Sequence, residues 1–145
     1  MNALNLSQKN SLYASLYGLE VSLHKIEKWI EEGEEQGILY LRTLSLSPEV
    51  KKSIRSKIKK AYKTIEALMH EYDLPRREEG LAEYIISMMS IGWADLEDSK
   101  ARHMRNYGDL DETMGGKIDA DLEPLIKNTR SIFNIVAQNR QPVLK

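Results

Sequence analysis

Histidines and acids are the residues of this chain whose types could hold a metal or move a proton. Glu20 stands four residues before His24, and Glu66 four before His70. A di-iron bundle needs Glu-x-x-His pairs on facing helices, so this spacing is wrong for one. Height separates the histidines too. In an antiparallel bundle His24 falls about 6 Å and His103 about 16 Å above the middle, and His70 about 13 Å below it, at 1.5 Å of rise per residue. They cannot share one ion. His103 stands out because it falls on an apolar stripe, with Asp119 and Asp121 near the same end. The three form a candidate metal group. The plainer reading is a neutral imidazole satisfied by a carboxylate or carbonyl. No nucleophile with an orienting third group accompanies it, so no catalytic residue is assigned.

The stretch from Asp95 to Glu123 carries nine acids and four bases. A calcium loop counted from Asp109 would need Gly at its sixth position and Glu at its twelfth. Met114 and Ala120 stand there, so the loop fails. The acids read as a solvated connection that also favours the start of the next helix.

Charge is unevenly spread. Glu49 to Lys63 includes Lys52, Arg55, Lys59 and Lys63 and nets +6, whereas Glu27 to Glu35 nets −4. Opposite charges flanking a helix seam fix pairing and orientation, which is the expected use here. As a nucleic-acid surface the basic run lacks aromatic platforms, since only Tyr62 interleaves. The whole chain balances 21 Lys and Arg against 22 Asp and Glu, so nucleic acid is an unlikely partner.

Small residues suggest a further site. Gly92 replaces a large residue on its stripe, and Thr129 breaks another stripe at a similar height. Tyr62 and Trp93 offer rings with polar handles to line a ligand pocket there. Close helix packing is the ordinary reading of such a layer.

The elements that must position these residues are helices. Leu12, Leu16, Leu19, Leu23, Ile26 and Ile30 are spaced four and three in turn, a heptad stripe. Ser7 can cap that helix, and Gly33 and Gly37 can close it. Ser47-Pro48-Glu49 is a strong helix start, and Pro75 a stop. The spacing predicts helices over approximately residues 8–32, 48–73, 78–106 and 118–137. Asp121 is a possible cap of the last; Pro124 would then lie in its first turn, whereas a start near Lys117 makes Pro124 a kink. Residues 37–46 are apolar and read as an extra helical turn or a packed crossover. The fold expected is all-α, an antiparallel up-down four-helix bundle forming a single domain over residues 1–145.

Cysteine is absent, which fits a reducing compartment and excludes disulfides and thiolate metal sites. The opening residues have no basic region before an apolar run, so no secretory signal is expected. No stretch reads as a membrane span. A cytoplasmic protein without a cofactor is expected. Apolar residues exceed what one bundle core needs: Tyr13, Tyr17 and Val21 on the first helix, Tyr84 and Met89 on the third, Phe133 on the fourth. A second apolar seam marks a homo-oligomer or a protein partner.

Overall fold

The computed structural model describes residues 3–141. Among the described residues the chain is all-α apart from one small hairpin, and its contacts fall into two units, Met1–Arg76 and Arg77–Lys145.

In the first unit, α1 spans Leu6–Glu32. Its cap is Asn5 rather than Ser7. The Asn5 side chain accepts from the Gln8 amide at 2.8 Å, and the Gln8 side chain accepts from the Asn5 amide at 3.0 Å. This reciprocal pair satisfies two donors where Ser7 alone offers one acceptor. Gly33 closes α1 at φ +69, a left-handed conformation that favours glycine, and donates to the Trp29 carbonyl.

The next segment is neither a helical turn nor a packed crossover. β1 (Glu34–Gln36) pairs antiparallel with β2 (Leu41–Thr43), Glu34 facing Thr43. Two local features make the hairpin. The Gly33 carbonyl accepts from the Leu44 amide at 3.0 Å, tying its base. At Gly37 a Cβ would lie 2.5 Å from the Tyr40 ring, so only glycine lets that ring fold over the turn. The tip leaves Ile38 and Leu39 fully in solvent.

α2 spans Pro48–Glu71 with the expected start: the Ser47 hydroxyl accepts from the Val50 amide at 3.2 Å, and Pro48 opens the helix. Asp73 at φ +52 turns the chain out of it, and Leu74 is buried just before Pro75. α1 and α2 run antiparallel. Tyr62 meets His24 and Glu27 midway, while Leu12 and Ser15 border one trough with Leu68 and Tyr72. Ile30 and Ile58 are buried in this unit.

In the second unit, α3 spans Leu81–Glu97, α4 Ala101–Met104, a 3-10 turn Arg105–Tyr107, and α5 Glu112–Asn139. The third helix therefore does not continue to residue 106. It stops because polar groups take over its last turn. The Ser99 hydroxyl bonds back to the Asp95 carbonyl at 2.9 Å, and Asp119 of α5 captures the Ala101 amide at 2.8 Å. His103 consequently sits on the separate short helix α4. The last helix begins six residues before the expected 118, because Asp111 caps it by accepting from the Met114 amide at 2.8 Å. Asp121 is no cap, and Pro124 lies inside α5, where its missing N–H removes one helical hydrogen bond.

α3 and α5 form an antiparallel hairpin. Glu83 pairs with Arg140 at 2.6 Å, the Trp93 ring meets Phe133 edge-on, and Lys100 reaches Glu123 at 3.4 Å. Ile126 is almost wholly buried, and Thr129 and Ala101 are buried with it. Gly115 lets α4 approach: a Cβ there would lie 3.1 Å from the Ala101 Cβ.

Candidate association surface

The α3–α5 hairpin has two broad faces of opposite character. Its seam takes the half-buried Ile85, Met89, Trp93 and Leu96 from α3, and Ile118, Leu122, Ile126 and Phe133 from α5. A second set on α3, Leu81, Tyr84, Met88 and Ile91, repeats at three, four and three residues. It is exposed, with Leu81 at 74% and Ile91 at 63%. Leu125, Ile132 and Ile135 of α5 are exposed in the same way. At about 100° per residue, each stripe sits roughly a quarter turn from the seam, in the same rotational sense on both helices. The two helices run in opposite directions, so the same sense puts both stripes on one face. The other face carries Glu83, Ser87, Ser90 and Glu97 from α3, and Glu123, Lys127 and Asn134 from α5.

The residues expected at an interface divide. Tyr84 lies on the exposed face, with its hydroxyl donating to Glu79 at 2.7 Å. Met89 and Phe133 are half-buried in the hairpin's own seam. Tyr13 and Tyr17 stack along α1 with ring centroids 6.1 Å apart, and Val21 is exposed one turn further on. Met88, Leu125 and Ile132 fall at heptad spacing on α3 and α5. They are exposed because each helix carries an apolar arc wider than one neighbour covers.

The suggested pocket residues also divide. Tyr62 belongs to the first unit; Gly92, Trp93 and Thr129 belong to the second. Gly92 faces open space, with no atom within 4 Å of a built Cβ. The Thr129 hydroxyl donates to the Leu125 carbonyl at 2.8 Å and so is satisfied within its own helix. Arg130 lies 4.6 Å over the Trp93 ring. Replacing Gly92 with Ala is expected to raise the stability of the second unit by about 1 kcal/mol, since it adds helix propensity without collision. A melting curve checks this; a loss of stability would mean that the space at Gly92 is used.

Tyr62 is the most perturbed acid of the first unit. Its hydroxyl donates to the Glu27 carboxylate and lies 3.2 Å from His24 Nδ1. Burial, and then the Glu27 hydrogen bond and charge, push its pKa up to about 12. The raised value means that the neutral phenol stabilises the fold fully below pH about 10 and that this contribution is lost as pH rises towards 12. Ultraviolet titration of the wild type minus Tyr62→Phe should show one phenol ionising near pH 12. An ordinary phenol transition in that difference would refute the assignment.

The candidate metal residues are each engaged elsewhere. His103 Nε2 lies 3.7 Å from Asp98, Asp119 holds the Ala101 amide, and Asp121 pairs with Lys117 at 2.7 Å. Among the described residues no group of three His, Asp or Glu is placed to hold a metal ion. A cleft of about 220 Å³ lies beside the β-hairpin, where Trp29 Nε1 donates to Glu35 at 3.0 Å and Arg42 reaches the same carboxylate at 3.4 Å. These three side chains satisfy one another. No helix of the described residues is long and apolar enough to cross a membrane.

No family model, curated protein or solved structure matches this chain.

Proposed function

We infer that the chain works by protein–protein association, as a homo-oligomer held by the α3–α5 apolar face. One observation carries this reading. Leu81, Tyr84, Met88 and Ile91, with Leu125, Ile132 and Ile135, are exposed apolar residues at heptad spacing on one face. That spacing is what knobs-into-holes packing between helices requires. Two such hairpins, face to face, make a four-helix bundle with the polar faces outward.

A second copy of the chain carries the same exposed apolar face, at the same spacing. A face repeated on every copy is self-complementary about a two-fold axis, the commonest closure of soluble oligomers.

The chain has no native cysteine, so single cysteines report burial cleanly. Ile91→Cys is expected to react slowly with a thiol reagent at high protein concentration and faster on dilution. Ser90→Cys, on the polar face, is expected to react fast at every concentration. Equal, concentration-independent rates for the two would contradict the reading.

A further inference from the structure

The basic run on α2 lacks the counter-charges that would explain it. Lys52, Arg55, Lys57, Lys59, Lys60 and Lys63 are all exposed, and among the described residues none is in an ion pair. Of the α1 carboxylates, Glu27 takes the Tyr62 hydroxyl, Glu20 and Glu27 flank His24 at 3.8 and 3.6 Å, and Glu31 and Glu32, level with Arg55 and Lys57, form no ion pair with α2 among the described residues. The seam between α1 and α2 is therefore not locked by the charges expected to lock it.

What remains is a ridge of six cations over twelve residues, about 16 Å of helix. Its outward surface has a particular chemistry. Ser53 and Ser56 lie between the lysines in a shallow trough bordered by Lys52, Lys57 and Lys60, with Glu49 at its end towards the start of α2. The large apolar residues of α2 from Ile54 to Met69 are half-buried or buried against α1, so none faces out beside the cations. That argues against a membrane, where an amphipathic helix inserts an apolar face. It also argues against a protein partner, since interface cores are depleted in lysine. No aromatic ring stands on the ridge, so there is no platform for unstacked bases. Five of the six cations are lysines, point charges on flexible stems that suit phosphate and read no base edge.

We propose that the outward face of α2 binds the phosphate backbone of a nucleic-acid duplex without regard to sequence. Lys52, Arg55, Lys59 and Lys63 form its central line, Lys57 and Lys60 its flank, and the Ser53 and Ser56 hydroxyls donate between them. This surface is on the first unit, and it stands or falls independently of association through α3 and α5.

The test is fluorescence anisotropy with a labelled random-sequence DNA duplex, an RNA duplex of the same length, single-stranded DNA and vesicles rich in anionic lipid. About six phosphate contacts predict roughly 10³-fold weaker duplex binding between about 50 and 200 mM salt. Replacing Lys52, Lys59, Lys60 and Lys63 with Gln should cut that loss to about tenfold, because each contact contributes about 0.9 to the logarithmic slope. Exposed Lys→Gln changes on a helix leave the fold intact, which circular dichroism verifies. Comparable binding to the DNA and RNA duplexes supports recognition of the shared backbone; preference for one names the source. Absence of duplex binding at low salt, a salt slope unchanged in the variant, or tighter binding to single strands or vesicles would overturn the proposal.

Discussion

Ile91→Asp combined with Ile132→Asp is expected to convert the protein to a monomer without unfolding it. Both side chains are exposed within the chain and lie off the α3–α5 seam. In a two-fold dimer each appears twice. Burying an isoleucine is worth about 1.5 to 3 kcal/mol. Ile91 is 63% and Ile132 47% exposed, so the four side chains lose the equivalent of about two full burials, at least about 3 kcal/mol or about 10²-fold in dimer affinity. Uncompensated carboxylates at the interface add to this. Sedimentation equilibrium measures the dissociation, and circular dichroism measures the retained helix. A double variant that remains as associated as the wild type would place the interface elsewhere.

The contrasting substitution is Ile126→Ala. Ile126 is 1% exposed, at the centre of the α3–α5 seam. Its truncation loses transfer free energy and leaves a cavity, at a cost of about 2 to 5 kcal/mol. For a unit of this size that lowers the melting temperature by roughly 15 to 35 °C. Ile132→Ala, on the outer face, should cost little in a monomeric background. The pair separates the seam from the association face by stability alone. Similar melting shifts for both, measured with Ile91→Asp present, would mean that Ile132 belongs to the folded core.

The contrast also explains what was legible in the sequence. Local signals were read well where the chemistry is local. Ser47-Pro48 starts α2, and Gly33 stops α1, because a cap and a left-handed turn depend on a few adjacent atoms. Heptad spacing likewise marks helices correctly. It cannot say which of two apolar arcs faces the neighbour in the chain, and Met88, Leu125 and Ile132 stand on the arc that faces out.

The misreadings arise where long-range partners decide. Asp119 captures the Ala101 amide across eighteen residues and ends the third helix early, which removes His103 from the stripe that made it interesting. Residues 37–46 are apolar enough to suggest packed helix. The turn at Gly37 instead pairs β1 with β2 and leaves Ile38 and Leu39 outside. The opposite charges of α1 and α2 imply a salt-bridged seam. Tyr62 instead takes Glu27, and the lysines stay outward. That last difference leaves the basic ridge available as a surface.

Native mass spectrometry of the intact wild-type chain tests association most directly, because it weighs the assembly and anything bound to it. A dimer that dissociates to monomer on dilution is the expected result. A monomer at every concentration would contradict association through the α3–α5 face.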